Sequence, residues 1–202
     1  DVKVKVTPDG DGYYAFRYTY VGTTQTIETT TGFEYFNYTV NPRSPLLSNT
    51  GVIIYYTGPD IVAKVFVVPS ATGDLYNHYD SNGRVDVRVS TQPDSDGCYA
   101  FRYTYDGTTE TVKTIESYAS FDYLTDPKIP VTSDKKATKY PDASGAIVAK
   151  LYEAADSEGN LYYHYDSMGR LDMKVRDIAD ADNCKAFRYS YVSDTTTLDT
   201  IE

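Results

Sequence analysis

The stretch Tyr99-Ala100-Phe101-Arg102-Tyr103-Thr104-Tyr105 stands, residue for residue, also at positions 14–20 of this 202-residue chain. A third version, with Lys first and Ser in place of Thr, fills positions 185–191. Aromatic residues alternate with smaller or polar ones, and a period of two residues is typical of a β-strand with one buried face. The repeated stretch therefore predicts the same strand three times.

A second block repeats with nearly the same spacing. Positions 76–84 read Tyr-Asn-His-Tyr-Asp-Ser-Asn-Gly-Arg, and positions 162–170 differ only by Tyr for the first Asn and Met for the second. Self-similarity at a fixed period indicates a repeat architecture. We divide the chain into repeat units 1–84 and 85–170, about 86 residues each, and a partial third unit 171–202. Because it begins at Asp1 without a leader peptide and stops within a unit, we expect a processed piece or window of a longer chain.

The composition predicts an all-β protein. There are 22 Tyr and no Trp, and Thr and Val are frequent, all residues that suit a pleated sheet. Asn82-Gly83 predicts a two-residue hairpin turn, while Met168-Gly169 at the equivalent place is weaker turn chemistry. No segment combines a helix cap with a sustained 3.6-residue apolar period. The predicted fold is a series of β-hairpins in antiparallel sheets, repeating about every 86 residues as an extended array or filament-like stack.

Two stretches differ most between the units, 29–60 and 117–146. Both are rich in proline, which is excluded from central strands, so they are predicted to be long loops or edge segments. Their prolines are Pro42, Pro45, Pro59, Pro127, Pro130 and Pro141.

The charge argues against two classes of partner. The formal net charge is −10 and the pI is about 4.6, whereas nucleic-acid binding needs clustered cations and anionic membranes attract basic segments. No apolar run approaches the roughly 18 residues of a membrane span. We therefore expect neither a nucleic-acid partner nor a membrane span.

The histidines are the first candidates for chemistry. His78 and His164 occupy the same place in two units, each with an aspartate two residues on in the same strand, Asp80 or Asp166. A histidine beside a carboxylate can act as a base or metal ligand, but no nucleophile is signalled nearby. A structural role is favoured, and no enzymatic activity is predicted.

An acidic turn recurs at one equivalent position and leaves two interpretations open. Short Asp-x-Asp loops suit Ca²⁺, which takes several carboxylate and carbonyl oxygens, yet Asp and Gly are also ordinary turn residues. Calcium is thus the one cofactor that the sequence suggests. The residues concerned are Asp9, Asp11, Asp94, Asp96, Asp180 and Asp182.

Three further features leave alternatives open. Cys98 and Cys184 are equivalent positions, which suits either two thiols or a disulfide between units. Asn37 begins an Asn-x-Thr glycosylation triplet. The tyrosine rows suit sugar stacking, although most of them are expected to build the sheet.

The block around Tyr165-Asp166 resembles the YD repeat of Rhs and teneurin-type proteins. That pattern has a glycine turn, an alternating strand, Tyr-x-Tyr-Asp, two residues and Gly-Arg-Leu. The matching residues are Tyr165, Asp166, Gly169 and Arg170 in one unit and Tyr79, Asp80, Gly83 and Arg84 in the other. The resemblance implies hairpins in a long spiralling sheet and a secreted or cell-surface bacterial protein. The unit of this chain is several times longer than the family's repeat.

The roles of these motif residues follow from their chemistry. Tyr packs its ring on the sheet, Asp accepts from backbone N–H groups of its own turn, and Gly supplies an unusual φ. Arg covers a neighbouring Tyr or pairs with the Asp. All of these roles are structural.

Repeat units of this kind leave open edges that their neighbours cover. We therefore expect an extracellular or cell-surface structural protein, a segment of a stalk, scaffold or fibre, with neighbouring repeats or copies of itself as partners. The alternative is an adhesin or carbohydrate-binding module that engages a glycan or a cell-surface protein through its Tyr-rich loops.

Overall fold

The computed structural model describes residues 1–37, 39 and 46–202, with the side chains of Leu46 and Thr132 excepted. These residues form fifteen β-strands and no helix, and the strand pairs are antiparallel, so the all-β prediction is confirmed. No helix in the described part of the chain has the length and apolar character of a membrane span. The strands are β1 (Val2–Val4), β2 (Ala15–Tyr20), β3 (Ile27–Asn37), β4 (Leu46–Thr57), β5 (Asp60–Phe66), β6 (Asp74–Tyr79), β7 (Val85–Ser90), β8 (Ala100–Tyr105), β9 (Val112–Asp122), β10 (Val131–Pro141), β11 (Ile147–Tyr152), β12 (Asn160–Tyr165), β13 (Leu171–Arg176), β14 (Ala186–Tyr191) and β15 (Leu198–Ile201).

The chain forms two compact units. The first contains Asp1–Ala100 together with Phe121–Thr132, and the second contains Phe101–Ser120 and Ser133–Glu202. Within each unit the strands pair with their neighbours in chain order. The thrice-repeated stretch forms β2, β8 and β14, six residues each.

The prediction of long loops at 29–60 and 117–146 is wrong. These stretches contain most of the long strands β3, β4, β9 and β10, of 11 or 12 residues each. The prolines do not interrupt them. Pro59 lies in the β4–β5 turn, Pro127 and Pro130 lie between β9 and β10, and Pro141 is the last residue of β10, where the register shifts. Proline is tolerated at strand ends and bulges, where no ladder bond is lost. Pro42 and Pro45 lie outside the described residues.

A tyrosine ring fills the core of the first unit. Tyr13 is only 7 % exposed and packs in a cluster with Phe16, Val52, Ile54 and Phe66. Gly51 and Gly32 are the residues beneath it. A Cβ at Gly51 would lie 1.9 Å from a ring carbon of Tyr13, and a Cβ at Gly32 would lie 3.1 Å from the ring. The ring is seated where two neighbouring strands carry no side chain.

The second repeat replaces this arrangement as a set. Its equivalents of Tyr13, Gly32 and Gly51 are Cys98, Ser117 and Lys136. Cys98 and Ser117 are both buried, with 1 % and 0 % of their surface exposed. Where the large ring is absent, the glycines are absent too, which indicates that the glycines are present to make room for the ring.

Candidate functional site

The acidic positions form one type of hairpin turn. In the turn 80–84, Gly83 N–H donates to Asp80 O at 2.9 Å and Asp80 N–H donates to Arg84 O at 2.8 Å. Asp80 Oδ1 accepts from the backbone N–H groups of Asn82 and Arg84 at 2.9 and 3.0 Å. The same four bonds recur at 9–13, 94–98, 142–146, 156–160, 166–170 and 180–184.

This geometry corrects the predicted two-residue hairpin. Only the fourth residue of the turn has positive φ, 77° at Gly83 and 75° at Gly169, whereas a type I′ turn would need it at Asn82 as well. The loop is therefore a type I turn followed by a left-handed residue that forms a bulge. Because position 82 has no special backbone requirement, Met168 makes the same turn as Asn82.

Each acidic turn uses one oxygen that a calcium site could also use, Oδ1 of its first aspartate. The first aspartate of each acidic triplet already accepts two backbone N–H groups through Oδ1. Asp11 Oδ2 contacts Lys64 Nζ at 2.6 Å. The described ranges bring together no group of three or more His, Cys, Asp or Glu side chains suited to a metal. The calcium interpretation and the ordinary-turn interpretation of these positions both stay predictions.

The arginine of the YD-like motif connects two turns of the second unit. Arg170 Nε donates to Asp166 Oδ2 at 2.7 Å, and Arg170 Nη1 donates to the carbonyls of Ser193 and Thr195 at 2.9 and 2.5 Å. Its guanidinium lies 4.6 Å from the ring centroid of Tyr191. Arg84 likewise holds Asp80, with Nε and Nη2 at 2.8 and 2.6 Å from Oδ2. The aspartates and arginines of the motif thus all fix turns.

These contacts change the acidity of the turn carboxylates. Burial by itself raises the pKa of Asp80, but hydrogen bonds from the Arg84 side chain and from the Arg84 and Asn82 backbone outweigh it and lower that pKa. The pKa of Asp166 is lowered by the same balance, with Arg170 and Met168 as the donors. The ionised carboxylate is thus the form that the turn stabilises.

The most elaborate set of side-chain contacts in the first unit surrounds Tyr76. This tyrosine is fully buried. Its ring stacks on Tyr123, with centroids 4.7 Å apart, and its hydroxyl donates to Pro127 O at 2.6 Å. Burial, with Asp86 and Asp126 adding smaller contributions, strongly raises the pKa of Tyr76. The phenol therefore stays neutral and acts as a donor.

His78 extends the same contact. Its Nδ1 lies 2.6 Å from Asp86 Oδ1 and its Nε2 lies 3.1 Å from Lys128 O. A carboxylate and a carbonyl are both acceptors, and only the doubly protonated ring donates from both nitrogens. Tyr76 and His78 of the first repeat thus hold residues 123–130, the β9–β10 loop, which belong to the second repeat. We call this set of contacts the loop clasp.

Sequence reasoning placed the histidine beside the wrong aspartate. The carboxylates that contact the rings are Asp86 and Asp172, on the following strand, while Asp80 and Asp166 serve their own turns. The signal was the aspartate that stands two residues after Arg84 and Arg170. It was missed because the contact depends on cross-strand register.

The second repeat has the same contact between a histidine and an aspartate. His164 Nδ1 lies 2.6 Å from Asp172 Oδ1, as in the first repeat, but among the described residues no acceptor faces Nε2. The His164 side chain is 41 % exposed, against 18 % for His78. Tyr162, the equivalent of Tyr76, is half-buried rather than buried.

An open groove lies on the first unit near the turn 80–84. Its volume is about 570 Å³. Lys64 lies in it, and although burial, the largest single effect, lowers its pKa, the hydrogen bond to Asp11 and the charges of Tyr79, Asp11 and Asp9 together outweigh burial and raise that pKa. The lining residues are Pro59, Asp60, Ile61, Lys64, Tyr79, Asp80, Ser81, Asn82 and Gly83.

The remaining candidate residues are the two cysteines and the glycosylation triplet that begins at Asn37. Cys98 is buried and Cys184 is exposed, and the two do not form a disulfide. Asn37 Oδ1 accepts from Thr39 N–H and Oγ1 at 3.0 and 2.8 Å. The middle residue of that triplet, Tyr38, lies outside the described residues, and glycosylation stays a prediction.

Comparisons with known proteins give no family. No family model and no curated protein matches the chain. Among solved structures it is similar to the "Crystal Structure of TcdB2-TccC3 without hypervariable C-terminal region" at 14 % identity and a TM-score of 0.22, covering 89 % of this chain and 11 % of that one. The "Crystal Structure of TcdB2-TccC3-Cdc42" gives 13 % identity with the same coverage and TM-score. This chain therefore spans about a ninth of the length of those chains.

Proposed function

We propose that this protein is a structural β-repeat protein, a segment of an extracellular stalk, surface scaffold or fibre, in which each repeat holds its neighbour. The observation that carries the proposal is the loop clasp. A loop of the second repeat is fixed on a strand of the first by one ring stack and two side-chain hydrogen bonds to backbone carbonyls.

The size of this contact suits a mechanical role. An aromatic pair contributes about 0.5–1.5 kcal/mol beyond its buried area, and each hydrogen bond about 0.5–1.5 kcal/mol. The clasp thus contributes about 1.5–4.5 kcal/mol, a large share of the roughly 5–15 kcal/mol that stabilises an ordinary domain. Unfolding one repeat removes this stabilisation from the next.

The polar groups support the same proposal. The turn carboxylates bind their own backbone, and the arginines bind turns. Both nitrogens of His78 lie against acceptors of the protein itself, so neither faces a substrate for general base chemistry. We therefore propose a cohesive rather than a catalytic role. The YD-repeat resemblance supports the extracellular or cell-surface location.

Pulling the chain from its two ends in a force spectrometer tests the proposal. In the wild-type chain the first compact unit, Asp1–Ala100 with Phe121–Thr132, should unfold as one event, because the clasp holds the loop of the second repeat on the first. The double variant Tyr76→Ala/His78→Ala should divide that event into two at lower force. If the wild-type chain already unfolds in the smaller steps, the repeats do not hold each other and the proposal is wrong.

The groove beside Tyr79 favours a second candidate, a glycan-binding adhesin. A tyrosine with a lysine and two aspartates, Asp60 and Asp80, offers a flat ring and polar groups of both charges in about 570 Å³. A glycan array probed with the full chain tests it. Binding that Tyr79→Ala abolishes and Tyr165→Ala retains would favour the adhesin, and an array without binding would favour the scaffold.

A further inference from the structure

We propose that one proton on the His78 ring opens and closes the loop clasp. While the ring carries both N–H groups, it holds the β9–β10 loop at Lys128. When the ring loses one proton as the pH rises, that end of the loop is released. The inference goes beyond the scaffold role, because it names a condition that regulates the contact. It rests on the loop clasp alone, whichever role the whole protein has.

The contacts of the His78 ring need one proton more than a neutral imidazole and a carboxylate carry. Nδ1 lies 2.6 Å from Asp86 Oδ1, and Nε2 lies 3.1 Å from Lys128 O. Both partners are acceptors, whereas a neutral imidazole has only one N–H to donate. Without the second proton, one of the two contacts places a ring lone pair against an oxygen lone pair, which is repulsive.

The neutral ring should keep its bond to Asp86 and lose the one to Lys128. A hydrogen bond to an ionised carboxylate is shorter and stronger than one to a neutral carbonyl, and the two distances, 2.6 and 3.1 Å, follow that order. The bond that one ring nitrogen makes decides which nitrogen keeps the proton. The Nε2 proton therefore passes to solvent, and the Nε2 lone pair is left facing the Lys128 carbonyl.

Charge near the ring comes from β7 and from the loop itself. Asp86 belongs to β7, and Asp126 and Lys128 belong to the β9–β10 loop. Ala63 of β5 and Val87 of β7, which lie opposite the histidine in the ladder, are buried and uncharged. An ionised carboxylate at hydrogen-bond distance favours the charged ring. The loop clasp is thus closed at acidic pH, and its His78 contact is lost as the pH rises through the midpoint of the ring's titration.

Tyr76 provides the half of the loop clasp that does not respond to this proton. Its hydroxyl donates to Pro127 O at 2.6 Å, and burial strongly raises its pKa, so the phenol stays neutral where an imidazole titrates. The stack of its ring on Tyr123 carries no charge. The loop should therefore stay attached at Tyr123 and Pro127 and loosen from Lys128 onward.

The first experiment follows the histidine rings and the loop by NMR from about pH 5 to about pH 9. His78 and His164 are the two histidines of the chain, and each holds an aspartate through Nδ1 at 2.6 Å, so His164 is the internal reference. The ring nitrogen shifts should show that Nε2 of His78 loses the proton. The amide signal of Ile129, which is bonded within the loop, should move with the same midpoint, and that of Gly145, in the turn 142–146, should not.

The second experiment measures hydrogen exchange of the loop amides as protection factors, which correct for the intrinsic pH dependence of exchange. Above the midpoint, the protection of Ile129 should fall by about tenfold, the factor that corresponds to one hydrogen bond to a charged group. In His78→Gln, whose new side chain does not titrate, the protection should not change with pH. His164→Gln, the matched control, should keep the wild-type fall.

Three results would overturn the inference. The first is a His78 ring whose signals stay constant over this range, or change while the Ile129 amide does not. The second is a neutral ring that keeps its proton on Nε2, and the third is a fall in protection that His78→Gln retains. The wild-type titration decides the first two without any variant. The force measurement at one fixed acidic pH tests the scaffold proposal separately, so failure of the proton switch and failure of the scaffold are distinguishable.

Discussion

The substitution Gly51→Ala tests whether the seat of Tyr13 holds the core of the first unit together. An alanine Cβ would lie 1.9 Å from Cε1, 2.1 Å from Cζ and 2.2 Å from Oη of Tyr13. Real Cβ atoms do not approach other atoms so closely. The obstacle is a ring that is 7 % exposed among Phe16, Val52 and Phe66, so it cannot move aside without leaving the core.

The expected loss in the free energy of unfolding follows from the packing that the Tyr13 ring would lose. Truncating a buried aromatic residue costs about 3–5 kcal/mol, and overpacking that a core absorbs by shifting costs about 1–3 kcal/mol. Because the added atom would overlap the ring itself, we expect a loss of about 3 kcal/mol. With a urea m-value of about 2 kcal/mol/M, the unfolding midpoint should fall by about 1.5 M.

Two controls isolate the cause. Gly10 has open space around its Cβ position and no positive φ, so Gly10→Ala should change stability by less than about 0.5 kcal/mol. Tyr13→Cys introduces the residue that stands at the equivalent position 98, and in that background Gly51→Ala should cost much less. Equal stability of the Gly10 and Gly51 variants, or an unchanged cost without the ring, would refute the packing argument.

Three further predictions concern the clasp and the turns. Tyr76→Phe should lower the free energy of unfolding by about 1–2 kcal/mol, because it removes the hydroxyl of a fully buried ring and leaves the Pro127 carbonyl without its donor. Tyr162→Phe, the matched control, should lower it by under about 0.5 kcal/mol, and equal losses in urea melts would contradict the clasp. The pKa of Asp80 is lowered in the folded protein, so its carboxylate adds stability that is present above the ordinary value of 3.8 and is lost as the pH falls through the native value. Asp80→Asn should therefore flatten the decline of the melting temperature below about pH 4. An unaltered decline would count against this role of Asp80. A ligand that binds the native form must raise the melting temperature. Because Oδ1 of each first turn aspartate already accepts from backbone N–H groups, we expect millimolar calcium to leave the wild-type melting temperature unchanged. A rise that Asp94→Asn removes would establish a calcium site.

The prediction of strands succeeded where the pattern is local. The stretch Ala100–Tyr105 and its two copies are strands because alternating aromatic residues suit a half-buried sheet regardless of the neighbours. The aspartate turns could also be anticipated, since Asp80 and Gly83 carry the turn chemistry within five residues. The type of turn was predicted incorrectly because Asn82 was given a backbone role that Gly83 alone fulfils.

The long-loop prediction was wrong because the effect of a proline depends on where it stands in the ladder of paired strands. Pro141 ends β10 at a bulge, and Pro127 and Pro130 fall in the loop after β9. The sequence alone does not tell whether a proline stands at the edge or in the middle of a ladder. Residues 29–37 and 46–57 are strands because eight described positions of β3 find partners in β4.

The order of the residues was enough to establish repetition, an all-β fold and an acidic surface, because each of these follows from composition or from patterns within a few residues. The tertiary structure alone decided that Asp86 rather than Asp80 meets His78, that two glycines make room for Tyr13, and that the β9–β10 loop covers Tyr76. These are contacts between residues tens of positions apart, such as Tyr76 and Pro127. Strand register and chain reversal set those distances, and a local sequence pattern such as 76–84 does not encode them.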